Sequence, residues 1–160
     1  MNIYTKRVLS GLFVVSVLAI CHTTANGSCS DPETSLTGGV QQKTFSDYKG
    51  VKIGTSTEDV RSKLGGPKDK SDAMDLYVFS DDETAQFYYD ESHAVKAIMI
   101  NYSGDLKGAP TPKDVFGEDV PAREDGGLFK MVRYPKLGYW VSYNRSGGDD
   151  AVISIAMQKI

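Results

Sequence analysis

The chain has 160 residues, of which 40% are hydrophobic and 24% are charged, and its formal net charge is −3. This length fits one domain, or two half-domains that share a sheet, and the composition is typical of a soluble globular protein. A mildly acidic chain is repelled by phosphate backbones, so we expect no nucleic-acid partner.

The first 25 residues predict a signal peptide for export. A positively charged start, "MNIYTKR", precedes "VLSGLFVVSVLAI", an apolar run that is too short to span a bilayer comfortably. Cleavage after Ala25 or Gly27 is one processing route. The other is acylation of Cys21, because "LAIC" resembles a bacterial lipobox, although Ile20 stands where a small residue is usual. Cys21 is the candidate lipidation site, and we expect membrane contact only through it.

Residues 26–44 predict a flexible tether. They are rich in Ser, Thr, Gly and Asn and lack hydrophobic periodicity. Both cysteines of the chain, Cys21 and Cys29, precede the region that we expect to fold. The domain must therefore be held together by burial of apolar surface rather than by a disulfide.

The segment "IGTSTEDVRSKLGGPKDK", residues 53–70, predicts a short capped helix. Ser56 can cap the helix, and Asp59 favours its positive end. Val60 and Leu64 are four residues apart and share one face. The following "GGP" then stops the helix, which we expect to span about ten residues.

Three strands are predicted next, at "DLYVFSD", "ETAQFYYD" and "AVKAIMINYS". Only short polar segments separate these runs, which favours hairpins and an antiparallel meander. Parallel strands would need longer crossover connections.

The same order of elements recurs further along the chain. Thr111, Asp114 and Val115 match Ser56, Asp59 and Val60, and "MVRY", "VSYN" and "AVISIAM" match the three strands in order. We therefore expect two helix-plus-three-strand units, residues 45–103 and 104–160. The predicted fold class is α+β, with these tandem units forming one antiparallel sheet of about six strands and helices on one face.

The helix segment also resembles a known family signature. "GTSTEDV" followed by "LGGP" is similar to the G-M-[TS]-x-x-[QE]-V…L-G-x-P motif of the small outer-membrane lipoproteins BamE, SmpA and OmlA, which also occurs in tandem in β-lactamase inhibitory protein. Thr55 replaces the usual Met, and Asp59 the usual Gln or Glu. The resemblance implies helices on an antiparallel sheet and a function carried out by protein contact.

We expect no catalytic residues, no cofactor and no metal. The chain has two histidines, and only His93, in a predicted turn beside Asp90 and Glu91, lies in the folded region. No nucleophile elbow, calcium loop or phosphate loop is present.

Alternation along the predicted strands places aromatic and apolar residues on both faces of the sheet. We expect Phe87, Tyr89 and their counterparts to lie under the helices. One expectation for the opposite face is a protein-binding surface, since Trp, Tyr, Met and Arg are enriched at interfaces. The alternatives are that the tether and the terminal segments cover this face, or that a small apolar ligand binds in a crevice between sheet and helix. The predicted binding residues of the protein-binding surface are Tyr88, Trp140, Arg133, Met131 and Met99. Further apolar residues that we expect on this face are Leu76, Val78, Val95, Ala97 and Val152.

We therefore expect an exported, non-catalytic protein-binding module of the bacterial envelope, located in the periplasm, at the outer membrane or outside the cell. Its expected role is outer-membrane assembly or maintenance. A secreted enzyme inhibitor is the alternative within the same class. A small hydrolase or a binder of an apolar ligand is the alternative of another class.

Overall fold

The computed structural model describes residues 45–160, which belong to one compact unit. The predicted signal peptide, the tether and the lipidation site Cys21 lie outside the described residues. Residues 45–160 form two α-helices and seven strands, together with short 3-10 turns at Leu106–Gly108 and Pro135–Leu137. The elements are α1 (Thr57–Leu64), β1 (Asp69–Lys70), β2 (Met74–Val78), β3 (Glu83–Tyr89), β4 (Val95–Tyr102), α2 (Pro112–Phe116), β5 (Leu128–Tyr134), β6 (Tyr139–Arg145) and β7 (Ile153–Lys159).

All seven strands form one antiparallel sheet in the order β1-β2-β3-β4-β7-β6-β5. The chain builds the first four strands from one edge towards the centre. Residues 103–127, which carry α2, then lead to β5 at the far edge. The chain returns through β6 to β7, which pairs with β4, so β1 and β5 are the two edge strands.

One face of the sheet holds the hydrophobic core. Apart from a bulge in β4, each strand from β3 to β7 directs every second side chain to this face, as the pleat requires. Residues outside the sheet complete the core: Tyr48 and Val51 precede α1, Val60 lies on α1, and Val115 and Phe116 end α2. The strands contribute Tyr77, Ala85, Phe87, Tyr89, Val95, Ile98, Ile100, Tyr139, Val141, Tyr143, Ile153, Ile155 and Met157.

Both helices begin at a side-chain cap. The Ser56 hydroxyl accepts a hydrogen bond from the Asp59 N–H at 3.1 Å. In α2 the cap is reciprocal, because the Asp114 N–H donates to Thr111 and the Thr111 N–H donates to the Asp114 carboxylate at 2.9 Å. These capping interactions fix where each helix starts.

The predicted α+β class, with tandem helix-plus-three-strand units, is wrong. The structure is mainly a seven-stranded sheet with two short helices. Helix α1 has eight residues and fully buries only Val60. Helix α2 has five, because Gly117 ends it in a left-handed conformation with φ 78°. Helices this short cannot form a layer over the long strands, so loop residues complete the core. The domain boundaries proposed from the sequence stay a prediction.

A buried ion pair attaches α1 to the sheet. Asp75 on β2 is fully buried, and its carboxylate accepts hydrogen bonds from Arg61 Nε at 2.9 Å and from Arg61 Nη2 at 2.8 Å. The Tyr89 hydroxyl also donates to this carboxylate, at 2.8 Å. Burial, and then the bond to Asp75, raise the pKa of Tyr89. These bonds compensate for the desolvation of the carboxylate.

A second carboxylate attaches the segment before α1. Glu83 at the start of β3 accepts hydrogen bonds from the Tyr48 hydroxyl at 2.7 Å and the Tyr102 hydroxyl at 3.2 Å. Lys49 Nζ lies 3.4 Å from the same carboxylate and 4.4 Å from the centroid of the Phe79 ring. Burial, and then the bond to Glu83, raise the pKa of Tyr48. Both carboxylate clusters therefore stabilise the fold on the core side of the sheet.

Candidate functional site

The side of strands β2–β7 that faces away from the core is referred to below as the open face. The strand register aligns its side chains in three rows, each crossing all six strands. The first row is Met74, Tyr88, Ala97, Gln158, Trp140 and Arg133. The second is Leu76, Gln86, Met99, Ala156, Ser142 and Met131. The third is Val78, Thr84, Asn101, Ser154, Asn144 and Phe129.

Charge is nearly absent from the open face. Of the eighteen positions, three rows of six, only Arg133 carries a charged side chain. Phe129 is 49% exposed and Met131 is 52% exposed. Ten of the eighteen positions are apolar or aromatic and seven are uncharged polar, whereas the solvent-facing side of an antiparallel sheet is normally polar throughout. Exposed apolar surface of this extent is a recognised feature of interaction sites.

Two aromatic residues stand on either side of a strip of small and flexible side chains. Tyr88 lies on β3 and Trp140 on β6, with Ala97 and Gln158 between them in the same row. Three strand spacings of ~4.8 Å separate Tyr88 from Trp140, which places their Cα atoms about 14 Å apart. Arg133 follows Trp140 directly across the β5–β6 pair.

This arrangement forms a groove of about 550 Å³ in the open face. Tyr88 and Trp140 are its walls, while Ala97, Ala156 and Met99 form its floor. The volume falls in the range of sites that accept a small molecule or an anchoring side chain. The groove exists because alanines on the two central strands leave space between the aromatic rings.

The charged end of the groove is formed by Asp90, Lys96 and Lys159. Lys159 Nζ lies 3.6 Å from the Asp90 carboxylate. The Ser92 hydroxyl donates to Asp90 at 2.6 Å and the Ala94 N–H donates at 3.1 Å. These hydrogen bonds, with Lys159 as a weaker cause, lower the pKa of Asp90 to about 2. Asp90 is therefore ionised at neutral pH and orders the turn between β3 and β4.

All five residues that the sequence predicts as binding residues lie on the open face. Tyr88, Trp140 and Arg133 share the first row, and Met99 and Met131 share the second. The structure thus brings them onto one surface; their role in binding stays a prediction.

The further apolar residues are placed less uniformly. Leu76, Val78 and Ala97 lie on the open face, and Val152 lies just before β7 with 38% of its surface exposed. The expectation for Val95 is wrong, because this residue is buried in the core. Tyr88 pairs with Ala97 but Tyr89 pairs with Val95, so Lys96 is an extra residue in β4. This bulge reverses the alternation at Val95.

Phe129 lies on the open face but was not predicted there. We predicted the strand from Met131 onwards, whereas β5 begins at Leu128. The alternation of Phe129, Met131 and Arg133 with inward residues was the available signal.

The residues considered for chemistry, Asp90, Glu91 and His93, lie in the turn between β3 and β4. His93 is exposed in the turn after β3, where its N–H donates to the Asp90 carbonyl at 2.9 Å. Within residues 45–160, no group of three or more His, Cys, Asp or Glu side chains is arranged to hold a metal ion. None of the helices in this part of the chain is long and apolar enough to cross a membrane.

Comparisons with known proteins leave the family unassigned. No family model, curated protein or solved structure matches the chain.

Proposed function

We propose that this protein is a non-catalytic binding module and that the open face is the surface that contacts a partner protein. The observation that carries the proposal is the near absence of charge on a solvent-facing sheet. Ten of the eighteen positions are apolar or aromatic, seven are uncharged polar and one is charged, and depletion of charged residues is typical of the core of an interface. Burial against another protein explains the composition.

Trp140, Tyr88 and Arg133 are the proposed anchors of the contact. They share one row, so a partner can engage them along one line across the sheet. Residues of these types dominate binding energy when they are desolvated, and truncation of each costs about 2 kcal/mol or more. The groove between the two rings accepts a protruding partner side chain.

The cellular role that we propose is outer-membrane assembly or maintenance in a bacterial envelope. The support is the resemblance of the capped α1 segment to the BamE-like lipoproteins, together with the predicted signal peptide. An inhibitor of a secreted or periplasmic enzyme would bind its target through the same surface. The identity of the captured partner distinguishes this alternative from a role in outer-membrane assembly.

Affinity capture from the native envelope tests the binding surface. The full chain is compared with the double variant Tyr88→Ala, Trp140→Ala and with Leu137→Ala. Leu137 is a matched control, because it is apolar and 58% exposed but lies in a 3-10 turn outside the open face. We expect the double variant to lose its partner and Leu137→Ala to retain it. Capture of the same proteins by all three chains would refute the proposal, provided that circular dichroism shows each chain folded.

Trp140 also provides a direct readout of binding. It is the only tryptophan in the chain, and it is partly exposed on the open face. Binding of the captured partner should move its fluorescence emission to shorter wavelength, because the indole leaves water. An unchanged spectrum at saturating partner would show that the contact lies elsewhere.

The groove of about 550 Å³ favours a second candidate function, the binding of a small apolar ligand between Tyr88 and Trp140. Titration of the full chain with a fluorescent fatty acid tests this candidate. Ala97→Phe places a large side chain in the groove, so it should abolish binding of the fatty acid. Its effect on the affinity for a partner protein should be smaller, because that contact extends beyond the groove. No Trp140 quenching by the fatty acid would eliminate this candidate.

A further inference from the structure

The two edges of the sheet differ in how they are protected. Edge strand β1 has two residues, both charged, and such short charged edges resist pairing with other chains. Edge strand β5 has seven residues, of which Lys130 and Arg133 are charged. We propose that β5 pairs antiparallel with β5 of a second copy of this chain, centred on Met131. This inference is independent of the proposed function, because it concerns the edge of the sheet rather than its face.

The orientation of the β5 backbone follows from the hydrogen bonds of neighbouring strands. The Ile160 N–H donates to the Gly138 carbonyl at 2.9 Å, and the Ser146 N–H donates to the Val152 carbonyl at 3.0 Å. Both bonds continue the β6–β7 register, so even-numbered β6 residues bond to β7. Hydrogen-bonded pairs alternate along an antiparallel ladder, so odd-numbered β6 residues bond to β5.

The β5–β6 register then assigns the groups at the free edge. Tyr139, Val141, Tyr143 and Arg145 pair with the even-numbered residues of β5. The backbone N–H and C=O groups of Phe129, Met131 and Arg133 therefore point away from the sheet. Within residues 45–160, no other backbone or side-chain hydrogen bond involves these six groups. The edge offers three consecutive hydrogen-bonding positions to an added strand.

Only one symmetric register uses all three positions. In a two-fold antiparallel pair one residue faces its own copy. A register centred on Phe129 would pair Met131 with Gly127 of the second copy. The hydrogen-bonding groups of Gly127 are already used, because its N–H donates to the Asp125 carboxylate at 2.8 Å and its carbonyl accepts from the Arg123 N–H at 2.8 Å. Centring on Arg133 would oppose two guanidinium groups and bring in Pro135, which has no N–H. Centring on Lys130 or on Val132 would likewise bring in Gly127 or Pro135, so only the register centred on Met131 uses all three positions.

The Met131-centred register also gives compatible side-chain pairs. Phe129 faces Arg133 of the second copy, an arrangement that permits a cation–π contact. Leu128 faces Tyr134, and Lys130 faces Val132, so no like charges are opposed. The charge of Lys130 is already paired with Glu118 of its own chain. The strand thus lacks the charge repulsion that normally blocks such an edge.

Pairing joins the two seven-stranded sheets into one sheet of fourteen strands. The two open faces become a single continuous surface with Met131 at its centre. The dimer would therefore present two copies of the Tyr88–Trp140 groove on the same side.

Sedimentation of the full chain over a range of concentrations tests the dimer. Met131→Pro removes an outward N–H, which an edge strand tolerates, so this variant should keep its thermal midpoint within a few degrees and become monomeric. Met131→Ala retains the N–H and should weaken dimerisation by less than Met131→Pro does. Val132→Pro removes an N–H directed to β6, so it should lower the thermal midpoint.

Cysteine cross-linking tests the register. In a chain with Cys21 and Cys29 changed to serine, Met131→Cys places two thiols on facing residues, whose Cα atoms lie about 5.5 Å apart, within reach of a disulfide. Phe129→Cys is the matched control, because it lies on the same face with similar exposure. In this register residue 129 of one copy lies four positions along the ladder from residue 129 of the other, a distance of about 13 Å. The two cysteines therefore cannot form a disulfide.

A concentration-dependent dimer that Met131→Pro weakens at least tenfold, with a disulfide at residue 131 and none at 129, supports the proposal. A monomer at all concentrations overturns it. So does a dimer that Met131→Pro leaves intact, or one that cross-links at 129 as readily as at 131.

Discussion

Neighbouring residues on the same strand show how different the two faces of the sheet are. On β3, Ala85, Phe87 and Tyr89 are buried in the core, whereas Gln86 and Tyr88 lie between them on the open face and are partly exposed. Folding depends on the first set, because its burial supplies the hydrophobic free energy. The second set contributes little to that energy, so the partly exposed aromatic ring of Tyr88 has no evident role in folding.

Charged side chains would be expected on the solvent-facing side of the sheet and not on its core side, but the two sides show the opposite. The core side holds two carboxylates, Asp75 and Glu83, and each accepts hydrogen bonds from tyrosine hydroxyls and a cation. The three rows of the open face carry one charged residue, Arg133, while Arg123 lies over the Phe129 ring and Asp90, Lys96 and Lys159 line one end of the groove. These carboxylates are tolerated on the core side because each accepts three side-chain hydrogen bonds, whereas apolar side chains outside are stabilised only when something covers them.

The largest effect is expected from truncation on the core face. Phe87→Ala should lower the free energy of unfolding by about 3–5 kcal/mol, because Phe87 is fully buried and its loss leaves a cavity. Tyr88→Ala, the adjacent residue on the open face, should cost below about 1 kcal/mol. Urea denaturation followed by circular dichroism measures both. Equal losses would contradict the assignment of the two faces.

A smaller loss is expected when the ion pair between α1 and β2 is broken. Arg61→Ala leaves the buried Asp75 carboxylate with only the Tyr89 hydroxyl as a side-chain donor. We expect a loss of about 2 kcal/mol, less than for a fully buried pair because Arg61 reaches solvent. The control is Lys107→Ala, which removes an exposed pair with Asp105 and should have almost no effect. A loss no larger than that of the control would show that the pair does not stabilise α1.

A still smaller change in stability is expected when acid protonates Asp90 at the end of the groove. The pKa of Asp90 is lowered to about 2 in the folded chain. A carboxylate with a lowered folded-state pKa stabilises the fold above its unfolded pKa, and this stabilisation is lost as pH falls from about 4 to about 2. At pH 6 the thermal midpoint of the wild type should therefore be higher than that of Asp90→Asn. This difference in midpoint should disappear near pH 2. A difference that persists unchanged at pH 2 would contradict this account.

The smallest effect on stability is expected from a new charge on the open face. Ser142→Lys should change the free energy of unfolding by no more than about 0.5 kcal/mol, because this partly exposed side chain is outside the core. The same variant should lose the captured partner, since an unpaired charge would be buried in the contact. Retention of the partner with full affinity would place the contact away from the second row.

Local sequence signals were reliable where the physical cause is local. The Ser56 cap and the glycine stop after Leu64 predict where α1 lies, and the helix ends at Leu64 as these signals indicate. Alternation predicts which strand residues share a face, and Tyr88 and Trp140 do lie on one side. These features depend on a few neighbouring residues and on strand geometry.

Other features failed because their cause is distant in sequence. The bulge at Lys96 depends on how β4 pairs with β3, so simple alternation placed Val95 on the wrong face. The fold class was wrong because two capped helices were expected to cover one face of the sheet, whereas α1 has eight residues and α2 has five, so the sheet dominates the structure. The sequence does not predict that Asp75 is buried, because its partners Arg61 and Tyr89 are adjacent to it only in the folded structure.

By itself, the sequence determined the positions of helix caps, the strand alternation and the set of aromatic residues available for binding, since each follows from the chemistry of adjacent residues. Only the tertiary structure decided the strand order, the register that aligns Tyr88, Trp140 and Arg133 in one row, and the free edge at β5. The reason is physical: pairing joins segments far apart in the chain, and one residue of slip in register would turn each side chain to the opposite face.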